Sequence, residues 1–137
     1  MTDRLYLTLD SSLAEVATLA EAMESFANRH ALPVATKSAI NLALEEIVTN
    51  IILHGYQGQP GQAIGVEIMF RPGVVQVCVE DSAPPFNPLL APKPDLTLPL
   101  EERKPGGLGL HLVRNVMDGL EYQRAGGKNR LSMVKRF

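Results

Sequence analysis

Tryptophan is absent from these 137 residues, cysteine occurs once, and aromatic residues make up only 5% of the chain. A single cysteine excludes an internal disulfide. Cys78 lies between Val77 and Val79, so it is expected to be an inert strand residue rather than a nucleophile. No apolar run approaches the ~20 residues that a membrane-spanning helix needs. Met1-Thr2-Asp3-Arg4 opens into an alternating strand rather than a charged-then-apolar leader. Cytoplasm is therefore the expected compartment, with no membrane as partner. A net charge of −2 argues against direct nucleic-acid binding. The G-x-x-x-x-G-K-[ST] signature of a P-loop is missing as well.

What is present reads as one domain over residues 1–137, since 45% hydrophobic and 20% charged residues suit an ordinary globular core. Its centre is the run from Asn41 to Tyr56. Ile40, Ala43, Leu44, Ile47, Val48 and Ile51 recur at the i, i+3, i+4, i+7 spacing of a helix with one buried stripe. At roughly 100° per residue, Glu46, Asn50 and His54 form a column bordering that stripe. A carboxylate and a carboxamide half sunk against a core are costly without partners. Glu45 points further round, toward solvent. Gly55 is expected to close the helix as a left-handed cap.

Before that helix, Leu5, Leu7 and Leu9 alternate with polar neighbours as a half-buried strand. Ser12-Leu13-Ala14-Glu15 is a capping box. It predicts a helix whose stripe is Leu13, Val16, Ala17, Ala20, Met23 and Ala27. His30 is expected at the surface. Beyond the central helix, Ile64–Phe70 and Val74–Glu80 read as two strands joined at Arg71-Pro72-Gly73, and the second delivers Asp81 to a rim. Pro84–Pro105 holds seven of the ten prolines and little periodicity, which is unusual inside a compact domain. Gly106–Gly109 then opens a helix carrying Leu112, Val113, Val116 and Met117, and a final hairpin flanks Gly126-Gly127. Bare N–H groups in such a glycine loop, with a helix N-terminus behind them, attract phosphate. Arg124, Lys128, Arg130, Lys135 and Arg136 crowd that last hairpin as a solvated edge, or alternatively as a docking or phosphate-steering face.

Helical Glu46-x-x-x-Asn50, strand-end Asp81-x-Ala83 and Gly106-Gly107-Leu108-Gly109-Leu110, in that order, resemble the ATP-binding boxes of the GHKL (Bergerat-fold) ATPases. His54-Gly55-Tyr56 and Pro85-Phe86-Asn87-Pro88 narrow the likeness to the bacterial anti-sigma-factor serine kinases of partner-switching systems. The resemblance covers nearly the whole chain. It implies an α/β two-layer sandwich: a mixed, mostly antiparallel sheet with helices on one face, and an ATP lid over about residues 84–105. ATP and Mg²⁺ are the implied cofactors. Asp81 would accept a hydrogen bond from the exocyclic amine of adenine, with Ala83 and Phe86 beside it. Gly106, Gly107, Leu108, Gly109 and Leu110 would hold the phosphates. Asn50 would hold Mg²⁺ through its amide oxygen, a hard ligand for a hard ion. Glu46 would be the general base. His54 would line the phosphate end, or else serve the helix end alone.

Two positions depart from the family. Ala83 stands where a glycine is expected, which tightens the adenine pocket. Asn129 stands in the region of a threonine that bonds the aspartate and adenine through water. No histidine-bearing dimerisation helix precedes the boxes, which disfavours a sensor kinase. The implied partners are an anti-sigma-factor antagonist protein, a sigma factor and a second copy of the chain. Two functional readings stand side by side: a protein-serine kinase, and a non-catalytic ATP-gated binding module.

Overall fold

The computed structural model describes residues 1–90, 97 and 107–137, leaving aside the side chains of residues 107 and 108. Strand β1 (Asp3–Asp10) pairs with β2 (Ala63–Arg71), which folds back as β3 (Val74–Asp81). Gly73 makes that hairpin possible, since its φ of +85° is one that a side chain would resist. Strands β4 (Gly119–Ala125) and β5 (Lys128–Arg136) turn at Gly126-Gly127, both with positive φ, the twist a two-residue hairpin demands.

The sheet order is β1-β2-β3-β5-β4. A mixed, mostly antiparallel sheet was the expectation, and each of its four pairings is antiparallel. The reason lies in the connection from β3 to β4 through α3 (Gly107–Val116). β3 and β4 run in the same direction, but β5 inserts between them, so they never pair.

One face of the sheet carries Leu9, Ile64, Val66, Ile68, Val75, Val77, Val79, Leu131 and Met133, all buried beneath the helices. Period-two alternation in every strand places them there. Cys78 points to the other face, where its Sγ lies 3.3 Å from Ser132 Oγ.

Helix α2 (Val34–Asn50) buries Ile40, Ala43, Leu44, Ile47 and Val48 as its spacing predicts, and Glu45 is exposed. Helix α1 (Ala14–Arg29) departs from expectation. Leu13, Ala17 and Ala20 are exposed, and the buried stripe is Leu19, Met23, Phe26 and Ala27. The Ser12 capping box does not form. Leu13 occupies the N-cap without a side-chain bond, and Glu15 instead accepts the Asp10 N–H at 3.1 Å. Without that cap, the larger side chains choose the rotation, because burying Leu19 and Phe26 removes more apolar surface than burying two alanines.

His30 is a second correction. Its side chain is only 3% exposed, stacked on Phe70 at 4.1 Å and tilted against Phe26. Its Nε2 donates to Asp3 Oδ2 at 2.7 Å. That bond holds the Asp3 carboxyl below its ordinary range, against the opposing pull of desolvation, with the Arg4 N–H and the Arg29 charge adding to it. The imidazole therefore ties the end of α1 to the start of β1. A lone histidine near a helix end gives no sign of this, because both aromatic partners come from tertiary contact.

Gly55 is the third. It does not cap α2 in the left-handed conformation. The helix continues through a π-helical turn, Ile51–Gly55, and positive φ falls on Gln57 and Gly58. The expected lid begins within view: Pro88–Leu90 is a 3₁₀ turn, held by Arg114 donating to the Pro88 carbonyl at 2.9 Å. Most of the 84–105 lid, and Gly106 with it, lies outside the described residues. Among the described residues no helix is long and apolar enough to cross a membrane.

Candidate functional site

The edge of α2 presents Glu46 and Asn50 half-buried, one turn apart. Neither makes a side-chain hydrogen bond or ion pair among the described residues, and no buried side-chain polar atom is left unsatisfied. Their polar ends therefore remain open to an incoming ligand. His54 falls in the π-helical turn, where each residue advances less than in an α-helix. The predicted column breaks there, and His54 is exposed.

Asp81 ends β3, paired between Ile64 of β2 and Asn129 of β5. It is buried to 6% exposure. Its Oδ1 accepts the Ala83 N–H and the Asn129 Nδ2, both at 2.9 Å. Among the described residues no other group donates to the carboxylate, which leaves Oδ2 to accept a ligand amine.

Asn129 is fully committed. Its Nδ2 also donates to the Ala83 and Pro84 carbonyls at 3.1 Å. Its Oδ1 receives the Phe86 N–H at 3.2 Å and the Tyr122 hydroxyl at 2.5 Å. Backbone carbonyls can only accept and a backbone N–H can only donate, so the amide has one orientation. Asn129 thus braces the Asp81 turn from the protein side and has no donor left for a base. Phe86 is anchored by its backbone N–H and is exposed beside the turn.

Ala83, expected to tighten the pocket, turns its methyl toward Gly55. It is 3% exposed, and a side chain at Gly55 would meet its Cβ at 3.1 Å. The methyl at 83 and the bare backbone at 55 are complementary, which accounts for that glycine without a positive φ. Tyr56 follows at once. Its hydroxyl donates to the Ala63 carbonyl at 2.9 Å and accepts the Ser82 N–H at 2.7 Å. Gly55 and Tyr56 therefore fasten the end of the Glu46–Asn50 helix to the residues following Asp81.

Helix α3 closes the other side. Leu110 and Val113 are in the core, and Gly109 lies directly against the Glu46 carboxylate. His111 pairs with Asn115 at 3.2 Å. The basic residues of the last hairpin are mostly engaged at home: Lys128 and Arg130 pair with Glu80, Lys135 with Asp118, and Arg124 donates to the Ala83 carbonyl.

The structure therefore joins three of the sequence motifs into one cluster: Glu46 with Gly109, and Asp81 and Ala83 with the end of α2. Tyr122, which braces the Asp81 turn through Asn129, was not singled out from sequence, and Arg124, which bonds the Ala83 carbonyl, was read there only as part of the basic hairpin. Tyr122 was legible only as a core-side neighbour of Leu120 in the β4 alternation. Among the described residues no group of three or more His, Cys, Asp or Glu side chains could hold a metal. An amide oxygen such as that of Asn50 suits a Mg²⁺ ion whose other ligands are phosphate and water.

The chain is similar to several known proteins. The chain is 29% identical over 135 residues to the serine/threonine-protein kinase BtrW of Bordetella bronchiseptica, covering 97% of this chain and 92% of that one. It is 32% identical over 108 residues to an anti-sigma F factor of Clostridium botulinum, covering 73% and 71% of the two chains. A solved structure of the RsbU and RsbW domains of a Mycobacterium tuberculosis protein superposes with a TM-score of 0.71 at 17% identity. That likeness covers 98% of this chain and 32% of the longer one, and it concerns the fold. Residues 9–135 match the histidine kinase-like ATPase domain, and the chain belongs to that family.

Proposed function

We propose that this protein is an ATP-dependent protein-serine kinase that phosphorylates an anti-sigma-factor antagonist and, in its other complex, sequesters a sigma factor. The observation that carries the reading is the Glu46 carboxylate: half-buried, unpaired among the described residues, one turn from Asn50 and against the start of α3. A module that only binds nucleotide has no use for an unpaired base at that place.

Asp81 Oδ2 accepts the adenine amine, a hydrogen bond that guanine could not offer. The first turn of α3 points its free N–H groups toward the phosphates. Asn50 would hold Mg²⁺ through its amide oxygen, and the ion when bound supplies neutralising charge to the phosphate oxygens. Glu46 accepts the proton of the antagonist's serine hydroxyl as its oxygen bonds to the γ-phosphorus. The bond from that phosphorus to the β–γ bridging oxygen breaks, and ADP departs with the electron pair.

The test is direct. Labelled ATP, Mg²⁺ and antagonist candidates encoded near this gene are incubated with the protein, and the label is expected as phosphoserine on one of them. No transfer to any of them would leave the binding module as the better reading.

A homodimer belongs to the same proposal. β1 is an edge strand with no neighbour on its outer side among the described residues. Its free backbone groups suit a second copy of the same strand. Light scattering at micromolar protein with ATP is expected to return twice the 14.9 kDa chain mass; a monomer would sink this part.

A further inference from the structure

We infer that Gly109 is a positioning residue for Glu46: its missing side chain is the recess in which the carboxylate stands. The inference rests on the reading of Glu46 as the base and adds to it the residue that sets where the base stands. Gly109 is the third residue of α3. It is not among the glycines with positive φ, so the backbone does not demand it. In a helix, alanine is the better former, and an unexplained glycine is a loss of stability.

The Glu46 side chain supplies the explanation. A methyl group at position 109 would stand 2.8 Å from Glu46 Cδ and 3.5 Å from Cγ, and it would overlap Oε2. Outside its own helix and chain neighbours, no other heavy atom of the described residues comes nearer to that position.

The obstacle is the far end of a flexible side chain rather than backbone. The fold can therefore accept a methyl by rotating the carboxylate away. The consequence falls on the position of the base, and a displacement of ~1 Å at a reacting group can cost about 10²-fold in rate. The glycine that the family pattern assigns to phosphate thus has a second duty in this chain, toward a carboxylate.

A double-mutant cycle tests this with a readout independent of activity. Gly109→Ala is made in the wild type and in Glu46→Ala, and melting temperature, ATP affinity and phosphoryl transfer are measured. With Glu46 truncated, the methyl enters empty space, and Tm should rise by about 3 °C, the ordinary gain of alanine over glycine in a helix. With Glu46 present, that gain should vanish or reverse. Transfer should fall about 10²-fold, well beyond any change in ATP affinity.

Equal Tm shifts in the two backgrounds would overturn the inference. Undiminished transfer by Gly109→Ala would do the same. If Gly109→Ala does not fold, the Glu46→Ala, Gly109→Ala protein must, and its failure to fold also refutes the recess. A wild type that transfers nothing defeats the kinase reading instead, while the Tm cycle still decides whether Gly109 houses the carboxylate.

Discussion

Glu46→Gln is expected to lower phosphoryl transfer by about 10²-fold or more while leaving ATP affinity near that of the wild type. The substitution keeps the shape of the side chain and its fit beside Gly109, but an amide cannot take the serine proton. Glu46 makes no hydrogen bond or ion pair in the described structure, so no structural partner is orphaned and the fold should be indifferent. Asn50→Ala supplies the contrast. It removes a ligand for the metal, so both nucleotide retention and transfer should suffer, with Mg²⁺ dependence of ATP binding reduced. Isothermal titration and single-turnover transfer separate the two. If Glu46→Gln transfers phosphate as well as the wild type, Glu46 is not the base. If the wild type transfers none and Glu46→Gln is silent throughout, the protein is a binding module.

The second large effect is expected at Asp81. Asp81→Asn should weaken ATP by about 10²-fold, measured by titration on a protein whose melting temperature shows it folded. The geometry leaves the new amide no good orientation. With its oxygen toward the Ala83 N–H and Asn129 Nδ2, as Asp81 Oδ1 stands now, its nitrogen meets the adenine amine donor to donor. Turned over, its nitrogen faces two donors of the protein. Asn129 cannot rearrange to help, because the Phe86 N–H and the Ala83 and Pro84 carbonyls fix its own orientation. ATP affinity equal to that of the wild type would exclude this turn as the adenine site.

These two positions were legible in the sequence for different reasons. Glu46 and Asn50 stood out because a helical period ties their spacing to the buried stripe of α2, and that stripe formed as predicted. Asp81 stood out because an apolar strand ended on it before a run of prolines. His54 failed where the same reasoning was extended one turn too far. Helical spacing assumes a uniform rise and turn, and the π-helical stretch Ile51–Gly55 is not visible in side-chain pattern. The α1 stripe held at Met23 and Ala27 but not at Leu13, Ala17 and Ala20, because the bulkier Leu19 and Phe26 take the buried face instead.

By itself the sequence determined the alternation of the strands, the hairpins at Gly73 and Gly126-Gly127, the amphipathic face of α2 and the order of the motifs. All of these follow from interactions between residues close along the chain, where period and turn chemistry decide. Only the tertiary structure decided which neighbours those residues acquire. It put Asn129 against Asp81 across the β3–β5 pairing, 48 residues apart, and Tyr56 against Ser82. It buried His30 between Phe26 and Phe70, and it set Gly109 against Glu46. Such contacts depend on how helices and strands pack across long stretches of chain. Packing is chosen by the total apolar surface buried and the polar groups satisfied, which no local pattern records.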